Sequence, residues 1–252
     1  MIHPDAVGYL VMAAVGFAGA GINSLAGGGT LLSFPVLLAL GYPAIVANVS
    51  NTLGMLPGYA GGSLSYRREL AGQARRVAVL GFAGGVGALG GAYLLTRTSN
   101  GSFRAVVPWL IVFACLLLAV QPLVSRWLSG ARGGPPNLNA LLIAGDAAGG
   151  VYGGFFGAGL GVLLLAVLGL CLNDSLQRLN ALKGVISMVV NGVAAVCFAI
   201  AAPVAWPVVA VMAPAAFAGG FAGAALARRV PPTPLRMLVV VLGLAVAVRL
   251  LV

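Results

Sequence analysis

No charged side chain occurs between Asp5 and Arg67, and further uncharged runs cover residues 77 to 96, 105 to 125 and 184 to 227. Each run is long enough to cross a bilayer as a helix, which takes about 20 apolar residues. Soluble domains carry about 25% charged residues, whereas this chain carries 7%, against 61% apolar. The runs do not alternate polar and apolar at every second residue, as the strands of a membrane barrel must. The chain is predicted to be all-α and integral to a lipid bilayer.

Other counts exclude whole classes of function. Cys115, Cys171 and Cys197 each lie in apolar sequence and read as small hydrophobes, so no disulfide framework, metal site or cofactor is expected. The net charge of +10 does not mark a nucleic-acid partner, because the arginines occupy short loops between apolar runs, where they report topology. No HExxH, no paired carboxylates and no serine or cysteine near a histidine are present, so an enzyme is not expected. The N-terminus lacks the basic region of a leader, and residues 6 to 22 are expected to form the first helix.

The chain also repeats itself. A gapless shift of 132 residues sets Gly27 on Gly159, Gly29 on Gly161, Asn48 on Asn180, Gly87 on Gly219, Gly91 on Gly223, Arg97 on Arg229 and Arg104 on Arg236. One membrane domain, residues 1–252, is expected, with repeat one at 5–125, a linker at 126–137 and repeat two at 138–252. Each repeat reads as five helical segments: 6 to 22, 29 to 40, 46 to 65, 76 to 96 and 103 to 123, then their counterparts. Gly87 with Gly91, and Gly219 with Gly223, are small-residue pairs expected to pack helices within the fold.

Loop charge orients the halves. The loop YRRELAGQARR carries four arginines, and its counterpart AIAAPVAWP carries none, so the two are expected on opposite sides. With the first loop inside, Arg67, Arg68, Arg75, Arg76, Arg126, Arg132, Arg178, Arg228, Arg229 and Arg236 fall on the cytoplasmic side. Arg97, Arg104 and Arg249, with both termini, fall outside. The second half is then inverted relative to the first, an architecture of many secondary transporters, whose substrate sites lie near the midplane.

The stretch GINSLAGGGTLLSFPVLLALG interrupts an apolar run with Asn23, Ser24, Gly27, Gly28, Gly29 and Thr30. The segment after it runs only 12 residues, about 18 Å, little more than half of a ~30 Å hydrocarbon core. Its N-terminus is expected near mid-membrane, where free N–H groups carry partial positive charge and glycine lets a ligand approach. GGFFGAGLGVLLLAVLGL, with Gly157, Gly159 and Gly161, would bring a second helix start to the same centre, and two such starts make an anion site. The competing reading is that these glycines only allow tight packing.

The segment GFAGAGINSLAGGGTLLSFPVLLALGYPAIVANVSNTLGMLPGYAGGSLSYRREL, with its glycine-rich break, Pro35, Gly-Tyr-Pro turn and basic loop, resembles the TauE/SafE family of sulfite and organosulfonate exporters. The second half departs from that pattern, with Val167 at the place of Pro35. The resemblance implies transport of small sulfur-containing or carboxylate anions across a bacterial inner membrane, often export.

Further polar residues complete the candidate binding set. Asn48, Asn51 and Thr52 match Asn180 and Lys183 under the shift, with Lys183 at the position of Asn51. Lys183 is the only lysine, inside an apolar segment, where an ionisable group is a functional candidate. Otherwise it snorkels to the membrane surface. The asparagines are either ligands or interhelical glue, and Ser24 and Thr30 either ligands or helix caps. Asp146, the one acid within a span, either carries a coupling proton or pairs with Lys183 or Arg178. The expected function is a secondary carrier exporting a small anion, with a passive anion channel or, more remotely, a membrane enzyme as the alternatives.

Overall fold

Glycines and short polar turns cut the apolar chain into helices of unequal length. The computed structural model describes residues 6–130, 138–226 and 233–251. In chain order these form α1 Ala6–Ala26, α2 Thr30–Ala39, α3 Ala44–Ser65, α4 Ala74–Arg97, α5 Asn100–Gly130, α6 Ala140–Phe155, α7 Leu160–Cys171, α8 Leu176–Ala201, α9 Trp206–Leu226 and α10 Thr233–Leu251. Local chemistry sets the boundaries. Gly41 turns the chain with φ +89° and Pro43 opens α3. The side chains of Asn139 and Ser175 accept from Leu142 and Arg178 N–H groups to cap α6 and α8.

Five helices, α1, α4, α5, α8 and α9, are long and apolar enough to cross a membrane, and the chain is an all-α protein of several spans. α3 is 22 residues long but carries Asn48, Ser50, Asn51 and Thr52, all buried. Its polarity is tolerated because it packs against α1, α2, α5, α8 and α9, away from lipid. Large apolar side chains such as Phe82, Trp109 and Ile200 remain on the outside of the bundle, as a hydrocarbon solvent requires.

Packing exchanges helices between the halves. α4 lies against α6 and α8, and α9 lies against α1 and α3. α5 meets α7 and α10, and α10 meets α2. Small residues permit this closeness. A methyl group at Gly87 or Gly91 would run into the Ala147 or Val151 carbonyl of α6, and one at Gly219 or Gly223 into Phe17 or Gly21 of α1. Both glycine pairs therefore pack helices inside the fold, as expected.

The helix starts refine the register between halves. Ala44 and Leu176 begin α3 and α8, 132 residues apart, but Thr30 and Leu160 begin α2 and α7, 130 apart. Gly27 and Gly157 each stand three residues before a short helix with left-handed φ (+85° and +75°), whereas the gapless shift sets Gly27 on Gly159, which is left-handed as well (+76°). The difference is taken up in α7, which has 12 residues to the 10 of α2.

At one end of the bundle, Asp174 bonds Arg76 at 2.7 Å and Arg178 at 2.9 Å. Arg178 also donates to the Ala71 carbonyl, and Gln73 to the Arg178 carbonyl. Partial burial alone would raise the Asp174 pKa. The hydrogen bonds from Arg76, Arg178 and the Ser175 N–H outweigh it and hold the carboxyl below its ordinary value. This cluster ties the turn after α3 to the turn before α8. α5 continues to Gly130, so the linker expected from 126 begins as helix. Arg132, Arg228 and Arg229 lie outside the described residues, as do the side chains of Arg126 and Arg236.

Candidate functional site

The two helix breaks meet back to back. Ideal geometry sets a Cβ on Gly27 only 3.1 Å from the backbone of Gly161 and Val162, so a side chain there would push that backbone away by a few tenths of an ångström. Left-handed backbone at Gly27, Gly157 and Gly159 turns the chain between α1 and α2 and between α6 and α7. The Tyr152 hydroxyl donates to the Ala158 carbonyl and braces the second break. Gly29 faces the Gly19 backbone, Gly28 faces Leu118 of α5, and Gly159 faces Ala114 of α5. These three shape the breaks and do not line the cavity beside them.

Beside the crossing, a small cavity of about 20 Å³, partly open to the surface, lies between α1, α3, α7 and α8. Asn23 and Ser24 line it from the end of α1, Gly161 from the start of α7, and Asn180 and Lys183 from α8. Ser24 donates to the Gly220 carbonyl at 3.1 Å, so it joins α9 to this wall and caps nothing. Lys183 is 4% exposed, its Nζ donates to Asn180 Oδ1 at 3.2 Å, and its Cδ passes 3.5 Å from the Cβ position of Gly161. It does not snorkel. Its ammonium has three donors and, among the described residues, a neutral amide oxygen as its hydrogen-bond partner, with Asp174 engaged by two arginines.

The remaining candidates fall elsewhere. Asn48 donates to the Phe155 carbonyl at 3.1 Å, satisfying the end of α6, and Thr52 donates to the Asn48 carbonyl at 3.0 Å. Asn51 is 1% exposed and, like Asn48 and Thr52, lies toward the end of α3 remote from the cavity. Thr30, which opens α2 without capping it, and Gly157 approach the site indirectly. Thr30, Asn23 and Asn191 all come within hydrogen-bonding reach of the Tyr59 hydroxyl, and a Cβ on Gly157 would sit 3.6 Å from Asn191 Oδ1. Asp146 is fully buried in α6 against Gly84, paired with neither Lys183 nor Arg178.

Sequence reasoning passed over Tyr59, Ser63, Tyr66 and Ser187, which line the cavity, and Asn191 beneath it. One signal was available: Tyr59 and Asn191 are 132 residues apart, so the repeat already matched them.

A polytopic helical bundle with two helix starts meeting beside a buried cation-lined cavity defines a membrane transporter of small solutes. Residues 12–250 match the family described as sulfite exporter TauE/SafE. The match takes in nearly the whole chain, and the chain belongs to that family. It is 26% identical over 235 residues to a probable membrane transporter protein of Haemophilus influenzae, covering 92% of this chain and 90% of the relative. It is 27% identical over 258 residues to the probable membrane transporter protein YfcA of Escherichia coli K12, covering 100% and 91%. A probable membrane transporter protein of Sinorhizobium, ORF9, is 25% identical over 230 residues, covering 91% and 87%. No solved structure matches. The chain is thus a multi-pass secondary transporter of the bacterial inner membrane.

Proposed function

We propose that the protein exports a small sulfur-containing or carboxylate anion, sulfite or an organosulfonate being the leading candidates, from a site on Lys183 where the two helix breaks converge. The observation that carries this reading is a buried lysine with a neutral partner inside a cavity floored by the start of α7. An ammonium so placed supplies the full charge that helix dipoles supply only in part. Asn23, Ser24 and Asn180 offer amide and hydroxyl donors around it. The family description, sulfite exporter, supports the substrate class.

The reading includes an architecture of two inverted repeats, 5–125 and 138–252. The reciprocal packing of α4 on α6 and α8 and of α9 on α1 and α3 supports it. So does the arginine bias, and on this reading the Asp174 cluster and the cavity mouth face the cytoplasm and both termini lie outside. Accumulated anion would enter from the cytoplasm, and an inside-negative potential drives each negative charge outward by about 2.3 kcal/mol per 100 mV.

The test is flux and binding in proteoliposomes with sulfite, thiosulfate, organosulfonates and carboxylates. Lys183→Met keeps most of the stem and removes the charge, and should cost about 2–3 kcal/mol of binding, on the order of 30–160-fold in affinity. Lys183→Arg should recover only part, because a planar fork does not replace a compact ammonium. Parent-like transport by Lys183→Met would refute the site. Conduction without saturable turnover would favour a passive channel.

A further inference from the structure

We infer that Asp146 is a proton-binding site linked to the anion cavity, so that a proton is taken up together with the anion. The inference rests on the Lys183 site proposed above. Asp146 is 0% exposed, and neither carboxyl oxygen has a hydrogen-bond partner among the described residues. Its Oδ2 lies 3.0 Å from where a Cβ on Gly84 would sit, at a point where Val190 and Ile186 of α8 also converge. The Gly84 N–H is close but belongs to the α4 ladder. A glycine at this position leaves room for the carboxyl group and little else.

Every charged group on the neighbouring helices is accounted for. On α4, Arg76 is held by Asp174, Arg75 adjoins it at the same end, and Arg97 lies over the Tyr93 ring at the far end. On α8, Arg178 is held by Asp174 and Lys183 by Asn180. α7 faces α6 with Leu160, Leu163, Leu164 and Val167, its Cys171 lying at its end, and α6 itself holds Tyr152, bonded to Ala158. Among the described residues no cation neutralises Asp146, and an unpaired carboxylate in such surroundings is costly. The group is therefore carried as the neutral acid in this conformation. It ionises when movement between α4, α6 and α8 admits water: the O–H bond breaks, the proton passes to water, and no other bond changes.

The link to the anion is electrostatic. Ile186 stands one helical turn from Lys183 on α8, and Asp146 touches Ile186's side of that helix. Asp146 lies six residues past the start of α6 and Lys183 seven past the start of α8, about 9 Å and about 10.5 Å along their axes. A carboxylate there offsets the lysine charge, and the neutral acid leaves that charge to the anion. At on the order of 10 Å the difference amounts to roughly tenfold in anion affinity, and linkage makes it reciprocal. A divalent anion accompanied by one proton still carries net negative charge, so the membrane potential still favours its exit.

The experiment measures binding of ethanesulfonate, whose charge is constant over the range, to the full-length protein between pH 5 and 9. Proton uptake on binding is followed with an indicator dye in weakly buffered solution. The parent should bind roughly tenfold more tightly at low pH and take up protons, whereas Asp146→Asn should bind tightly throughout and take up none. Asp146→Ser, smaller than the aspartate and equally without a titrating carboxyl, should behave as Asp146→Asn does and keeps the test decisive if Asp146→Asn fails to fold. Parent binding that is independent of pH, or proton uptake retained by Asp146→Asn or Asp146→Ser, would overturn the inference and leave the anion site standing. No binding of ethanesulfonate or any other anion of the panel by the parent would overturn the anion site, and the linkage with it.

Discussion

Replacing Gly29 with alanine should destabilise the protein and impair transport together. The added methyl group would overlap the Gly19 carbonyl oxygen and lie 2.6 Å from its carbon and 2.9 Å from Asn23 Cβ. Carbon atoms settle about 3.5–4.0 Å apart, so α1 and α2 must part by about 1 Å. The obstacle is helix backbone, which cannot rotate away, and the cost should reach the upper end of the usual overpacking range, about 3 kcal/mol. For a chain of this size that is a fall of about 6–12 °C in Tm. Backbone strain does not enter, since Gly29 already has φ −60°. The same opening draws Asn23 and Thr30 from Tyr59, and misplacement by about 1 Å costs on the order of 100-fold in function. Thermal unfolding in detergent and ethanesulfonate flux would be compared with Gly90→Ala, whose methyl meets only Val151 at 3.9 Å. That control should be neutral or stabilising by up to about 1 kcal/mol. If Gly29→Ala melts and transports like the parent, the close packing at the first break is wrong.

Three further outcomes are expected. Tyr59→Phe removes the hydroxyl that Asn23, Thr30 and Asn191 approach; it should cost about 1–3 kcal/mol of stability and slow flux, and an unchanged melting curve and rate would count against the network. Because the folded-state pKa of Asp174 is depressed, its stabilisation is present above its unfolded pKa and lost as pH falls through the folded value. Asp174→Asn should therefore lower stability by about 0.5–1 kcal/mol at neutral pH and make no difference in strong acid, as pH-dependent melting would report. Cysteines at Gly72 and Ala202 should label from opposite sides of intact cells, the first from the cytoplasm; labelling from one side ends the inverted-repeat reading.

The helix breaks were legible because GGGT and GAGLG contradict their apolar surroundings and are followed by segments too short to cross a bilayer. Lys183 was legible for the same reason, one costly charge in a run that otherwise avoids it. Asn48, Asn51 and Thr52 were expected at the site and lie apart from it. In the inverted-repeat architecture proposed above, a two-fold relation carries matched residues to opposite ends of the bundle unless they sit near the axis, so matching Asn51 with Lys183 would not bring them together. Tyr59, Tyr66 and Ser187 escaped because a lone hydroxyl in an apolar helix reads as ordinary packing. The two extra residues of α7 were hidden by glycines spaced two apart, which align equally well at 130 or 132.

On the two-repeat architecture proposed above, Tyr59 and Asn191 are matched residues, and they approach each other across α3 and α8. In an ancestral pair of identical half-length chains, the residue at this place would have faced its own copy, and only self-compatible choices were open to it. A phenol opposite an amide is available only once the halves are joined and free to differ. From then on the two positions are no longer independent. A change at either one alters the same contact, so tolerated substitutions at Tyr59 and Asn191 should arise as pairs, while the lipid-facing residues of the two halves drift separately.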